Sequence, residues 1–262
     1  MSFDPRIQLA EKKLSQIRHV LLVAGGKGGV GKSTIAASLA LSIARFSYKT
    51  GLLDADIHGP SIPKIIKVDF PAKSSVNGIE PAKLENLKIM STAFFIDEDK
   101  PIPVRGESKE KLVLDLFAET DWSELDFLVV DLPPGMGDET LAVLKIFEKR
   151  GKAILVTTPS LLSVYVVEKL VKMLIREKVP ILGIVKNMAY IPYKGEKIKL
   201  YKKDVVEKLA LKYGIDVLGE LPLDFDVEEK IFEGKTPLDS EKFAEEFKNI
   251  VQKVLDKIRL SN

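Results

Sequence analysis

No cysteine occurs anywhere in the 262-residue sequence. That excludes disulfides, thiolate nucleophiles, zinc-thiolate sites and any iron–sulfur cluster held by the chain's own sulfur. Histidine is nearly as scarce, and His19 and His58 lie too far apart to form a metal-ligand spacing. Neither sign of charge is in excess: 40 Lys and Arg stand against 38 Asp and Glu, a formal net charge of +2. So even a balance supplies no strong field for nucleic acid or an anionic membrane, and neither partner is expected. Long apolar runs are missing as well. None approaches the roughly 18 residues of a membrane span, and the charged opening MSFDPRIQLAEKKLSQIRH lacks a signal-peptide core, so a cytoplasmic protein is expected.

What is present is a regular alternation of short apolar runs and helical patterns. Leu21 to Ala24, Gly51 to Leu53, Phe127 to Val130, Ala153 to Val156, Ile181 to Val185 and Val217 to Leu218 are continuously apolar, as strands are when helices cover both sheet faces. Helical patterns run from Lys32 to Arg45, Asp138 to Lys149, Leu161 to Lys178, Lys203 to Tyr213 and Ser240 to Ile258. The alternation predicts one α/β domain over residues 1–262, with a doubly wound, mostly parallel sheet between helices. The first 17 residues are expected to form an amphipathic helix against that domain. Val68 to Pro103, with several prolines and no helical period, reads as a β-rich or irregular excursion on one edge. Residues 188–201, with Pro192 and Gly195 among aromatic and β-branched residues, read as a hairpin-like insertion. Phe243, Phe247, Ile250, Val251, Val254 and Ile258 recur at helical spacing. Their polar face is too balanced in charge for an anionic membrane, so this helix is expected to dock on the sheet.

The chemistry concentrates after the first strand. GGKGGVGKST satisfies the P-loop pattern G-x-x-x-x-G-K-[ST] through Gly26, Gly31, Lys32 and Ser33. Glycines at 26, 28, 29 and 31, with Val30 between them, let the backbone curl so that its N–H groups face phosphate oxygens. Lys32 then reaches the β and γ phosphates and Ser33 binds Mg²⁺. Gly26, Gly28 and Gly31 also spell G-x-G-x-x-G, and Asp54 falls where a dinucleotide fold places its ribose-binding acid. Lys32 and Ser33 have no role in that alternative. The run FLVVDLPPG puts Asp131 at the carboxyl end of an apolar strand, where a carboxylate holds Mg²⁺ directly or through water.

With its second lysine, Lys27, the loop resembles the deviant P-loop of the MinD/ParA group. GLLDADIHGPSIP, VRGE, WSELDFLVVDLPPGMGDETL, VTTPS, VKNMAY and GELPLD are further similar to the Mrp/ApbC branch, the ATP-binding iron–sulfur cluster carriers. The resemblance implies an ATP-hydrolysing homodimer in which Lys32, Ser33 and Thr34 hold phosphate and Mg²⁺. It implies that Asp56 orients the attacking water, that Asp54 stands beside the metal and that Asp131 to Gly135 form a switch. It implies that Asn187 and the segment around Pro222 hold the adenine, that Arg105 and Gly106 line the dimer groove, and that Lys27 reaches the partner subunit's nucleotide. His58, in the switch segment, is expected to pack the loop.

One departure from that family stands out. Its carriers hold their cluster through a C-x-x-C shortly after the N-M-S-Y segment, and the resemblance places Tyr193 and Glu196 at those two positions. Neither side chain is a thiolate or an imidazole, the ligands such a cluster takes. The expectation is therefore an ATPase of iron–sulfur protein assembly that carries no cluster alone and works with a cysteine-bearing protein partner. The alternative is a ParA/MinD-style ATP-gated dimer switch that recruits or positions a partner.

Overall fold

The structure, a computed structural model, describes residues 5–70, 73–95 and 107–260, with side chains from 111 onward in the last stretch. Arg105 and Gly106 lie outside the described residues. The strands are β1 (Ile17–Gly25), β2 (Thr50–Asp54), β3 (Ser74–Ser75), β4 (Gly78–Ile79), β5 (Ala82–Leu84), β6 (Leu87–Ser91), β7 (Leu125–Asp131), β8 (Gly151–Thr157), β9 (Ile181–Tyr193), β10 (Glu196–Lys199) and β11 (Val217–Pro222). The helices are α1 (Pro5–Ser15), α2 (Lys32–Arg45), α3 (Ile62–Ile65), α4 (Glu107–Glu119), α5 (Asp138–Phe147), α6 (Leu161–Arg176), α7 (Val205–Tyr213), α8 (Phe225–Phe232) and α9 (Glu241–Arg259).

The main sheet runs in the order β10-β9-β8-β1-β7-β2-β6-β5, and β11 also pairs with β9. Its strands are parallel except at the β5–β6 and β9–β10 pairs. Alternation along each strand divides the interior into two layers. Val20, Leu22 and Ala24 of β1 join one apolar cluster with residues of α1, α4, α5, α6 and α7, while Leu21 and Val23 join another with α2, α3 and α9. Period-two side-chain direction thus covers both faces with helices, which is the doubly wound α/β arrangement. Because β7 connects to β8 across β1, the strand order reverses at β1 and β7, the kind of switch point at whose carboxyl ends such sheets bind ligands.

Two expectations change in the structure. The amino-terminal helix ends at Ser15, because Ile17 is fully buried as the first residue of β1. Three of the described helices lack a counterpart among the predicted patterns: α3, α8 and the body of α4. The stretch after Val68 is, as expected, β-rich and at one edge: β6 and β5 close the sheet there, and β6 lies parallel to β2 with Leu87, Ile89 and Met90 buried. The amphipathic carboxyl-terminal helix does dock on the sheet, burying Phe243, Phe247, Ile250, Val251, Val254, Leu255 and Ile258. Among the described residues no helix is long and apolar enough to cross a membrane.

Candidate functional site

The loop between β1 and α2 enters its helix through Gly31, whose φ of 81° is a left-handed conformation that glycine adopts without strain. No side chain caps α2, so the first N–H groups of the helix are left to a ligand, and the helix dipole favours an anion there. Lys27, Gly28 and Gly29 are exposed, whereas Gly26 and Val30 are buried and Ser33 and Thr34 are half-buried.

Lys32, only 6% exposed, turns inward. Its Nζ donates to Asp131 Oδ1 at 2.5 Å and to Ser33 Oγ at 3.4 Å. The other oxygen of Asp131, Oδ2, is buried and takes no hydrogen bond among the described residues. Parallel register pairs Asp131 at the end of β7 with Asp54 at the end of β2, so two fully buried carboxylates stand side by side. Burial and the Asp131 charge push the Asp54 carboxyl up to about 7. Burial likewise raises Asp131, against the opposing pull of the Lys32 ammonium. The orphaned Oδ2 and the neighbouring Asp54 carboxyl supply hard oxygen donors, and a cation bound there would favour the ionised form of both. The residues present therefore fit a hard divalent cation.

Asp54 holds the neighbouring loop. Its Oδ1 accepts from the backbone N–H of Asp56 at 3.2 Å, and its Oδ2 accepts from Ile62 N–H at 3.2 Å and Ser91 Oγ at 3.0 Å. Asp56 in turn accepts from His58 and Gly59 N–H through Oδ1, at 3.2 and 3.1 Å, while Oδ2 takes no hydrogen bond among the described residues. His58 Nε2 meets Glu139 Oε1 of α5 at 2.9 Å, so its loop is tied to the helix that follows the Asp131 segment. Leu132 and Gly135 donate backbone N–H to the carbonyls of Val23 and Gly25, laying that segment along the phosphate loop.

Asn187 lies on the loop's far side and donates from Nδ2 to the Val30 carbonyl at 2.9 Å. A Cβ on Gly31 would come within 2.2 Å of that nitrogen, so the close approach itself requires glycine at 31. Pro222 pairs in register with Tyr190, three residues beyond Asn187. Tyr193 and Glu196 stand opposite one another across a two-residue turn, Lys194–Gly195, whose φ values of 48° and 82° are those of a type I′ hairpin.

The structure thus brings Lys32, Ser33, Asp54, Asp56 and Asp131 together and lays Asn187 against their loop, whereas Lys27 projects into solvent with no ion-pair partner among the described residues. Sequence reasoning missed Ser91 and Thr140. Ser91 ends a strand that the sequence pattern concealed. Thr140 Oγ1 donates to the carbonyls of Pro133 and Gly135 at 3.4 and 3.3 Å, and nothing local marked it.

Comparison with known proteins agrees with this geometry. A ParA family model described as the NUBPL iron-transfer P-loop NTPase matches residues 16–258. An iron–sulfur cluster carrier protein of Aquifex aeolicus is 40% identical over 229 residues, covering 86% of this chain and 63% of the relative. The chain therefore spans somewhat less than two thirds of that relative's length. The iron–sulfur cluster carrier protein of Pyrococcus furiosus is 34% identical over 280 residues, covering 99% of this chain and 93% of the relative. Among solved structures, a nucleotide-binding protein of Archaeoglobus fulgidus in complex with ADP superposes with a TM-score of 0.77 at 34% identity, over 92% of this chain and 96% of the other. A phosphate loop in this setting, matched along nearly its whole length, places the chain in the ParA family of P-loop NTPases, among the NUBPL iron-transfer proteins.

Proposed function

We propose that the chain is a cytoplasmic, Mg²⁺-dependent ATPase that acts as a homodimer in the assembly of iron–sulfur proteins. The observation that carries this is the buried Lys32–Asp131 pair beside an uncapped helix N-terminus, with one oxygen of Asp131 unpartnered among the described residues. Backbone N–H groups from Gly26 to Gly31 and the start of α2 cradle the phosphates, and Thr34 lies in the same first turn. Ser33 and Asp131 hold Mg²⁺, with Asp54 adding charge from behind. The ion supplies neutralisation of phosphate charge. Lys32 exchanges Asp131 for the β and γ phosphate oxygens. Asp56, fixed by two backbone donors on Oδ1, orients water with Oδ2. Lys27, exposed and unpaired among the described residues, reaches the neighbouring subunit's nucleotide. Asn187 and Pro222 border the base.

Calorimetric titration of Lys32→Ala with ATP and Mg²⁺ tests the assignment. Loss of the charge-assisted phosphate contact weakens binding by about 1.5–3 kcal/mol. Affinity equal to that of the wild type would refute it.

The cluster is cargo that this chain does not ligate alone. Tyr193 and Glu196 face each other across the hairpin turn where the family's two cysteines fall, and neither offers sulfur. A cysteine-bearing protein partner supplies the ligands. Anaerobic reconstitution of the purified chain with iron and sulfide is accordingly expected to leave no stable iron–sulfur absorption while ATP turnover continues. A stoichiometric, transferable cluster would show the expectation wrong.

A further inference from the structure

Behind Asn187, β9 carries a lysine buried to 2% exposure, Lys186. Its Nζ donates to Asp204 Oδ2 at 3.0 Å and to Glu207 Oε1 at 2.8 Å, and it also pairs with Glu220. The three carboxylates lie close enough together to suggest a metal cluster, yet the cation among them is the lysine's own ammonium. Burial opposes that charge, and the three acceptors more than offset the penalty, holding the lysine above its ordinary range.

The cage joins three elements. Glu220 is the register partner of Lys186 on β11, and Asp204 and Glu207 open α7, where Asp204 Oδ1 also caps the helix by accepting from Glu207 N–H at 3.1 Å. The next residue along β9 is Asn187, bonded to the phosphate loop, and the one after is Met188 at a φ of 52°. A non-glycine residue in that conformation persists only where its surroundings over-determine it. Lys186 is fixed on the one side. On the other, Tyr190 is fixed by Pro222 and by its carbonyl, which accepts from Leu223 N–H.

We propose that Lys186 is a positioning residue for the nucleotide: clamped by Asp204, Glu207 and Glu220, it fixes β9 to β11 and α7 and thereby holds Asn187 against the phosphate loop. The effect reaches nucleotide affinity through Asn187, given the ATP-binding function proposed above. It does not touch the hydrolytic groups.

Titration of the full chain with ATP and Mg²⁺, paired with steady-state turnover, tests this. Lys186→Met is expected to bind ATP about tenfold more weakly, the lower end for removal of a supporting residue. Turnover at saturating ATP should stay within about twofold, the signature of lost binding rather than lost chemistry. Lys186→Arg should restore affinity, and in an Asn187→Ala background Lys186→Met should have no further effect. Should Lys186→Met fail to fold, Glu220→Ala, which cuts only the β11 arm, carries the same test. Wild-type affinity in a folded variant, or a loss that persists undiminished in the Asn187→Ala background, overturns the proposal. Lys32-dependent ATP binding by the wild-type chain in those cases would leave the nucleotide function standing and remove only the anchor.

Discussion

Two buried carboxylates share one ammonium at the phosphate loop, and that imbalance is open to titration. Folded Asp54 keeps its proton up to about pH 7, whereas in the unfolded chain it ionises near its ordinary value of 3.8. Between those pH values the folded state binds more protons, so the contribution of Asp54 to stability is largest in acid and is lost as pH rises towards 7. Thermal melts of the nucleotide-free protein should therefore show Asp54→Asn gaining on the wild type across this window. The gain is at most about 1.4 kcal/mol per pH unit. A difference between the two that stays flat from pH 4 to 7.5 would mean that Asp54 is ionised throughout. At this scale the sequence made Lys32, Ser33 and Asp131 legible, because their chemistry is written in contiguous motifs. It left Ser91, Thr140 and Lys186 illegible, because each acquires its role from a partner distant in the chain or from a backbone carbonyl that no motif marks.

Among the elements, those with strong periodicity were the readable ones. Lys32–Arg45 agrees at both ends with its sequence pattern, and α9 repeats its apolar residues cleanly because one face is buried along its whole length. Helix α8 is only eight residues long and fully buries none of them, with Val227 and Ile231 half-buried against the core, so its apolar face was too short to stand out in FDVEEKIF. Strand β6 is five residues long and is preceded by a stretch with proline and turn residues, which hid its parallel pairing with β2. Docking of α9 has a measurable consequence. Phe247 is fully buried and stacks on Phe243 with ring centroids 5.3 Å apart, so Phe247→Ala should destabilise the fold by about 3–5 kcal/mol in urea unfolding. A loss below about 1 kcal/mol, the range of a surface substitution, would contradict the packing of this helix on the sheet. Beyond its core, α9 presents Glu246 to Tyr190 Oη at 2.8 Å and to Lys197 Nζ at 2.7 Å, so the same helix holds the hairpin.

For the whole molecule, the composite site proposed here makes subunit exchange decisive. Chains with Lys27→Ala and chains with Asp56→Ala should each be nearly inactive. In a mixed dimer, one of the two sites keeps Asp56 in its own subunit and Lys27 from its partner. An equal mixture should therefore recover about a quarter of wild-type turnover if the subunits of a symmetric dimer assort at random. No recovery, with mixed dimers verified by mass, would place Lys27 in its own subunit's site.

The sequence by itself determined the alternation that builds a doubly wound sheet, the phosphate loop and its lysine, and the absence of sulfur ligands, since each rests on composition, local spacing or local periodicity. Tertiary structure alone decided that Asp54 and Asp131 stand side by side and that Asn187 reaches the loop. It alone also decided that three acids converge on Lys186. The Lys32–Asp131 contact spans 99 positions and the Asn187–Val30 contact 157. Pairings that remote follow from strand order and register, which the burial of both sheet faces fixes and which no local pattern contains.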